Sequence, residues 1–292
     1  MRLVSFRADG AGRIGILRGD RVFDLGKTDP GLPRCMKTLL EMGAEGLRRA
    51  AIAAEGAIEA IPSHQVDLLP PVPQPEKIIC VGLNYADHAA ETGIRPPREP
   101  VIFNKLPTTL RASGDPIVLP ELSREVDYEA ELVVVIGAGG RAIPRDKALA
   151  HVAGYTCGND VSARDWQKGK PGGQWLLGKS FDSFAPTGPA LVTADEVGDA
   201  GKLRIKCRLN GRLVQDSCTD QLIFPVAELI AYVSSVATLK PGDLIFTGTP
   251  PGVGMARTPP LYLRAGDLVE VEIERVGLLR NRVAGPPPAS SE

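Results

Sequence analysis

Ten residues near the middle of the chain read Asp127-Tyr128-Glu129-Ala130-Glu131-Leu132-Val133-Val134-Val135-Ile136. Because side chains alternate between the faces of a strand, the two glutamates share one face with later valines, and the other face is apolar. A strand that is apolar on both faces is a buried one. The stretch therefore predicts a central strand whose acidic start either meets a compensating cation or protrudes into water.

Further apolar runs surround this strand along the chain. Only two helices are predicted among them, near residues 145–152 and 226–236, so the pattern does not alternate as βαβ units do. Asn210-Gly211 separates two alternating runs, as in a tight hairpin. We predict a β-rich α+β fold with a mixed or antiparallel sheet, with strands at residues 77–83, 101–103, 116–119, 131–136, 203–209, 244–246 and 268–273.

Proline divides the chain into parts. Five prolines between residues 62 and 75 predict an extended linker, residues 62–76, because proline fixes φ and removes a hydrogen-bond donor. Three short strands near residues 3–6, 13–17 and 21–25 and a helical region, residues 36–61, predict a small N-terminal α+β domain, residues 1–61. Residues 77–284 form the predicted main domain, and residues 285–292, rich in proline and serine, a disordered tail.

Composition excludes several classes of protein. The 292 residues carry a net charge of -1, without the basic surplus of a nucleic-acid or anionic-membrane surface. No apolar run approaches the roughly 18 residues of a membrane span, and the N-terminus is too polar for a secretory signal. The five cysteines form no CxxC pair. They indicate reduced thiols, and we expect a cytoplasmic protein.

A third acidic residue, Asp160, follows the apolar run 153–157 and can face the glutamate pair. Three carboxylates without clustered His or Cys form a hard oxygen set, suited to Mg²⁺ or Mn²⁺, or to Ca²⁺, rather than to zinc. The alternative is that Asp160 only caps a turn or a helix.

Three further motifs have two interpretations each. His88 and Glu91 stand three residues apart, which suits a general base held by a carboxylate, or a surface pair of about 0–1 kcal/mol. Lys179, between a glycine and a serine, is either a fixed cation or a solvated side chain. The loop 247–254 offers backbone N–H groups and a hydroxyl to a carboxylate, or is a tight turn.

A glycine-rich segment, Gly137-Ala138-Gly139-Gly140-Arg141-Ala142, matches a dinucleotide-binding fingerprint, with Asp160 about 20 residues further on. Pro144 falls where the phosphate-binding helix should continue, and no set of βαβ units surrounds it. A nucleotide-binding oxidoreductase is therefore the least favoured interpretation.

The motifs HxxE, ExE, NDxSARDWQ, LGKSFD and GTPPGVG occur in this order between residues 77 and 284. Each is weak alone, but the ordered set is specific, and it resembles the fumarylacetoacetate hydrolase superfamily. Residues 174–179 and 248–263 are most similar to its fumarylacetoacetate hydrolase domain-containing protein 2 branch.

This resemblance implies a mixed β-roll or sandwich, a homodimer, and an active site under a mobile lid. It assigns metal binding to Glu129, Glu131 and Asp160, catalysis to His88, Glu91 and Lys179, and substrate binding to Arg164, Gln167 and Thr249.

The expected activity is metal-dependent hydrolysis of a C–C bond in a small 2-oxo acid of the acylpyruvate or fumarylacetoacetate type. An enolate stabilised by the metal would be the intermediate. The same enolate serves an oxaloacetate tautomerase or decarboxylase and a 2-hydroxy-dienoate isomerase, which remain alternatives. A metal-stabilised, dicarboxylate-binding scaffold is the alternative that is not an enzyme.

Overall fold

The computed structural model describes residues 1–57, 59–93 and 95–286, and within these ranges nineteen strands form three sheets. The strands are β1 (Arg2–Ala8), β2 (Ala11–Arg18), β3 (Arg21–Asp24), β4 (Ala60–Pro62), β5 (Asp67–Leu69), β6 (Ile78–Gly82), β7 (Val101–Lys105), β8 (Leu110–Arg111), β9 (Ile117–Val118), β10 (Val126–Asp127), β11 (Ala130–Ile136), β12 (Val152–Asn159), β13 (Ser162–Ala163), β14 (Ala185–Thr193), β15 (Arg204–Leu209), β16 (Arg212–Cys218), β17 (Leu244–Phe246), β18 (Leu268–Ile273) and β19 (Gly277–Ala284).

The helices of the same ranges are mostly short, and none is both long and apolar enough to cross a membrane. The α-helices are α1 (Leu25–Thr28), α2 (Met36–Glu41), α3 (Gly43–Gly56), α4 (Ala86–Thr92), α5 (Arg164–Gln167), α6 (Trp175–Lys179), α7 (Ala194–Val197) and α8 (Val226–Val236), and the 3₁₀ helices are Ser63–Gln65, Pro107–Thr109, Arg145–His151, Thr219–Gln221 and Gly254–Ala256.

The largest sheet has β11 near its centre. Its order is β4-β3-β2-β1-β14-β12-β11-β17-β6-β7, with β5 beside β1 and β8 beside β14. Strand β11 is buried along its whole length and pairs antiparallel with β12 and β17, whereas β17 pairs parallel with β6. The sheet is therefore mixed, as expected.

A second sheet, β16-β15-β18-β19-β9, packs against one face of the first. Asn210 and Gly211, with φ of 52° and 78°, form the turn between β15 and β16, as the two positive angles of a type I′ hairpin require. Leu132 and Val134 of β11 share their apolar cluster with Ile205 of this sheet. The predicted fold class, α+β with a β-rich core, is confirmed.

The N-terminal strands continue the large sheet, because β1 pairs antiparallel with β14. Part of the segment predicted as a linker is a strand: β5 pairs with β1. The helical prediction for residues 36–61 was too long, since Gly43 has a positive φ of 62° between α2 and α3, and β4 pairs with β3 after Gly56. The division into domains stays a prediction.

Other differences have local causes. Strand β14 was missed because Pro186, Gly188 and Pro189 suppress the usual strand pattern. The helix expected at residues 145–152 is a 3₁₀ helix, Arg145–His151. Residues 287–292 of the predicted disordered tail lie outside the described residues.

Candidate active site

Three buried carboxylates converge where β11 begins. Glu129 directly precedes β11, Glu131 is its second residue, and Asp160 directly follows the neighbouring strand β12. The antiparallel register sets Ala130 opposite Asn159, so the end of one strand adjoins the start of the other. Their carboxylate oxygens include a set that lies within 4.8 Å of one another. The structure thus brings together the three residues predicted as metal ligands.

Buried cations surround this carboxylate cluster. The Lys179 ammonium lies 2.8 Å from an oxygen of Glu129 and 2.8 Å from an oxygen of Asp160. A guanidinium nitrogen of Arg164 lies 2.6 Å from the other oxygen of Glu129. Two of the three carboxylates are therefore neutralised by side chains of the chain itself.

Lys105, at the end of β7, is a site residue that sequence reasoning missed. Its buried ammonium donates to Asp160 at 2.5 Å and to the carbonyl of Val161 at 3.1 Å. The available signal was a lysine closing an apolar run, in phase with the inward positions of a strand. Burial lowers the pKa of Lys105, against the opposing effect of Asp160.

The pKa values of Glu129 and Glu131 are shifted in opposite directions. Burial alone would raise the pKa of Glu129, but the charges of Lys179 and Arg164 outweigh it and lower this pKa to about 2. Burial, and then repulsion by Asp160 and Glu129, raises the pKa of Glu131 well above its usual range. Glu131 has no ion pair among the described residues, and it accepts one hydrogen bond, from the Gly248 N–H at 2.7 Å.

This charge distribution fits a hard divalent cation. Carboxylate oxygens are the ligands that Mg²⁺, Mn²⁺ and Ca²⁺ prefer. A buried carboxylate without a cationic partner costs free energy, and a dication near Glu131 would remove that cost. Glu129, Glu131 and Asp160 therefore suit the metal that the sequence predicted.

Arg164, the first residue of α5, is held rigidly beside this cluster. Asp127 accepts hydrogen bonds from Arg164 at 2.9 Å and from the Met255 N–H at 3.0 Å, and its second oxygen accepts from the Gly254 N–H at 2.7 Å. Gln167 accepts from Arg164 at 2.9 Å. Burial would lower the pKa of Arg164, but Asp127 and Glu129 outweigh it and raise this pKa.

His88, the predicted general base, and Glu91, its predicted carboxylate partner, both lie on α4. The Nδ1 atom of His88 is 3.0 Å from Glu91 Oε2, and Glu91 also accepts from the Gly252 N–H at 3.0 Å. Asn84, just before the helix, donates to the carbonyls of Phe224 and Thr247 at 3.1 and 2.7 Å. The pair therefore faces the loop 247–254, with its helix anchored at one end.

Thr249 is held by Gln215, a second residue that sequence reasoning missed. The Gln215 amide donates to Thr249 Oγ1 at 2.9 Å and to the carbonyl of Pro250 at 2.8 Å. Its oxygen accepts from the Ala130 N–H at 2.9 Å, between the two glutamates. A glutamine in an alternating strand looks like a solvent-facing residue, so the sequence carried no signal.

One cavity of about 490 Å³ joins these parts. Of the nine residues predicted from the sequence, seven line it, and Glu131 and Asp160 adjoin it through Glu129. Phe103 and Trp175, whose rings meet edge to face at 5.3 Å, form an apolar wall. The cavity thus combines the His88–Glu91 pair, a carboxylate cluster and an apolar surface.

Comparisons with known proteins agree with this geometry. A family model described as fumarylacetoacetate (FAA) hydrolase C-terminal matches residues 77–284. The mitochondrial oxaloacetate tautomerase fahd2 of Xenopus laevis is 49% identical over 287 residues, covering 97% of this chain and 90% of that protein.

Two solved structures extend the comparison. The fumarylacetoacetate hydrolase from Exiguobacterium antarcticum is 36% identical, with a TM-score of 0.85, and the match covers 98% of this chain and 99% of that one. Maleylpyruvate hydrolase from Sphingobium sp. SYK-6, solved in complex with a manganese(II) ion and pyruvate, is 34% identical, with a TM-score of 0.81 and coverage of 98% and 100%.

Proposed function

Because the chain belongs to the fumarylacetoacetate hydrolase family, we propose that it is a divalent-metal-dependent oxaloacetate tautomerase, which interconverts keto and enol forms of this 2-oxo acid. The observation that carries the proposal is the placement of the His88–Glu91 pair in the same cavity as the carboxylate cluster. The name of the Xenopus laevis relative favours tautomerisation over the hydrolysis that the motifs alone ranked first.

The carboxylate cluster supplies one half of the chemistry. Glu129, Glu131 and Asp160 would hold a Mg²⁺ or Mn²⁺ ion, which supplies Lewis-acid stabilisation of an enolate oxygen. Lys179, buried against the cluster, adds a fixed positive charge close to the developing oxyanion.

The His88–Glu91 pair supplies the other half. Because a carboxylate only accepts, the His88 Nδ1 atom donates to Glu91, which leaves Nε2 as the basic nitrogen. In the keto-to-enol direction His88 takes a proton from C3 of the substrate and releases it to solvent, and solvent returns one proton to the 2-oxo oxygen. The reaction breaks one C–H bond and forms one O–H bond, so no water is consumed.

The remaining residues orient the substrate. The Gln167 oxygen accepts a hydrogen bond from Arg164, so the amide nitrogen is the group of Gln167 that can donate to a substrate in the cavity. Thr249 accepts from Gln215, so its own hydroxyl proton is directed to another acceptor. Both groups suit the oxygens of a 2-oxo acid.

A turnover assay tests the proposal. Oxaloacetate keto–enol exchange is followed by ultraviolet absorbance, with NMR to identify products, in the presence of Mg²⁺ or EDTA. We expect His88→Ala to lower kcat about 10²- to 10⁴-fold, the usual contribution of a positioned base. His64→Ala, in the proline-rich segment, is the matched control. Full activity in EDTA or in His88→Ala would refute the proposed mechanism.

Hydrolysis of an acylpyruvate is the second candidate, because the same His88–Glu91 pair can deprotonate a water molecule. The maleylpyruvate hydrolase named above belongs to this class. Product analysis separates the alternatives: an acylpyruvate cleaved to two acids indicates hydrolysis, CO₂ from oxaloacetate indicates decarboxylation, and a shifted double bond indicates dienoate isomerisation. If the protein binds these acids but turns over none of them, the metal-stabilised, dicarboxylate-binding scaffold becomes the favoured interpretation.

Assembly and compartment complete the proposal. We propose a homodimer, supported by the exposed side chains of Ile102 in β7, the edge strand of the large sheet, and of Leu106 directly after it, and testable by light scattering. The five cysteines are free thiols, as expected of a reducing compartment. The name of the Xenopus laevis relative places that protein in mitochondria, so the cytoplasm and the mitochondrion are the compartments to distinguish by microscopy.

A further inference from the structure

Lys168 lines the mouth of the active-site cavity directly after α5. Its backbone N–H donates to the carbonyl of Arg164 at 2.9 Å, which fixes its backbone beside the buried guanidinium. The side chain is exposed at this mouth. Lys168 therefore places an ammonium group at the mouth of the cavity.

The other lysine and arginine side chains that line the cavity are already neutralised. Lys179 contacts Glu129 and Asp160, and all three guanidinium nitrogens of Arg164 contact acceptors of the protein. Among the described residues, Lys168 forms no ion pair within 4 Å, unlike these two. It is thus the lining cation whose charge is available to an anion of the substrate.

The surrounding charges agree with this role. Partial desolvation at the cavity mouth, followed by repulsion from the guanidinium of Arg164, lowers the pKa of Lys168. Lys179 adds to the repulsion, while Glu129 opposes it. An anionic group between Lys168 and these cations would offset the repulsion, so the position attracts negative charge.

The shape of the cavity does not select a small acid by itself. Its volume of about 490 Å³ is much larger than a four-carbon acid, and one wall is formed by the rings of Phe103 and Trp175. A small, doubly charged substrate therefore needs a charged contact at its far end to be held in one orientation.

We propose that Lys168 binds the distal carboxylate of the substrate, so that the site selects dicarboxylic 2-oxo acids over monocarboxylic acids of the same length. The inference rests on the proposed function, because the 1-carboxylate and 2-oxo oxygens are taken to lie at the carboxylate cluster. Lys168 is a specificity residue in this scheme and does not contact the reacting carbon.

Kinetics provide the first test. We expect Lys168→Met, which removes the charge but keeps a long, unbranched side chain, to raise the KM for oxaloacetate about tenfold, as for one charge-assisted contact at an exposed site. The effect falls on KM rather than on kcat, and Lys168→Arg keeps most of the affinity. Lys170→Met is the matched control, because the Lys170 ammonium lies over the Trp166 ring at 4.7 Å and does not line the cavity.

Binding provides a second test that does not depend on turnover. L-malate and (S)-2-hydroxybutanoate have the same length and the same 2-hydroxy acid head, and they differ in the distal carboxylate. Titration calorimetry in Mg²⁺ should show that Lys168→Met weakens the binding of malate about tenfold and leaves the affinity for 2-hydroxybutanoate unchanged. Added salt should reduce the difference, because the contact is exposed.

The outcomes are separable. A wild-type protein that does not turn over oxaloacetate contradicts the proposed function and this inference with it. Turnover by the wild type, with KM and malate affinity unchanged in Lys168→Met, overturns the inference alone. Arg95, an exposed arginine after α4, provides a further comparison. If Arg95→Met raises the KM for oxaloacetate and Lys168→Met does not, the inference about Lys168 is likewise overturned.

Discussion

Glu129 and Glu131 lie on the same side of the chain, two residues apart, yet the protein shifts their pKa values in opposite directions. The difference comes from their partners. Glu129 lies between Lys179 and Arg164, whereas Glu131 accepts a hydrogen bond from the Gly248 N–H. Replacement of either glutamate by glutamine therefore tests two quantities separately. One is the stability of the metal-free protein, and the other is the binding of a metal ion.

We predict that Glu131→Gln raises the Tm of the metal-free protein by a few degrees at neutral pH, because it removes a buried carboxyl group that has no ion pair among the described residues and must take up a proton on folding. The folded-state pKa is raised, so the cost is absent below the unfolded value of about 4.5 and grows as the pH rises above it. The gain should therefore vanish near pH 4. Calorimetry in EDTA across this range checks it.

Glu129→Gln should destabilise the metal-free protein, in contrast to Glu131→Gln. The pKa of Glu129 is lowered to about 2, so its contribution to stability is present above pH 4.5 and is lost only as the pH falls toward 2. We predict a lower Tm in EDTA at neutral pH. Both variants should lose the rise in Tm that Mg²⁺ or Mn²⁺ gives the wild type. Exposed Glu121→Gln is the control, and an unchanged metal response in Glu131→Gln would contradict the ligand assignment.

At the scale of elements, β16 of the second sheet positions the loop that carries Thr249. Gln215, 2% exposed, joins the Ala130 N–H to Thr249 and Pro250. We predict that Gln215→Ala costs about 2 kcal/mol or more, because it leaves buried polar groups unpaired. This corresponds to a Tm lower by roughly 4–8 °C for a domain of this size.

The same variant should also weaken Mn²⁺ binding, because Ala130 lies between two of the proposed ligands. Exposed Gln221→Ala, which loses one contact to Asp220, is the control and should change the free energy of unfolding by less than about 0.5 kcal/mol. A stability loss without any change in metal affinity would show that Gln215 supports the fold alone.

These elements also show what the sequence could reveal. Period-two alternation predicted β11 and the shared side of its glutamates, and Asn210-Gly211 predicted a hairpin, because both signals are local. For Lys105 the phase of the strand was the one available signal, and for Gln215 there was none, because their partners, Asp160 and Thr249, lie 55 and 34 residues away. Nothing in a single strand shows which polar side chain a distant loop will bury.

Across the whole molecule, the N-terminal elements and the rest share one apolar core. Leu39 of α2 belongs to the same buried cluster as Val133 of β11 and Phe246 of β17, and β1 adds a paired strand to the large sheet. The proline-rich segment does not separate two sheets, since β5 within it pairs with β1. Melting of the first 61 residues would therefore expose the face of β11 that carries Val133.

We predict that calorimetry of the full chain shows one cooperative transition, because neither part buries its apolar face without the other. Leu39→Ala, at a fully buried position, should cost about 2–5 kcal/mol and lower the temperature of that entire transition. Ile52→Ala on α3, where the side chain is 54% exposed, is the matched control and should change the Tm little. Two resolved transitions, with Leu39→Ala moving only the smaller one, would show that residues 1–61 unfold independently of the site that they support.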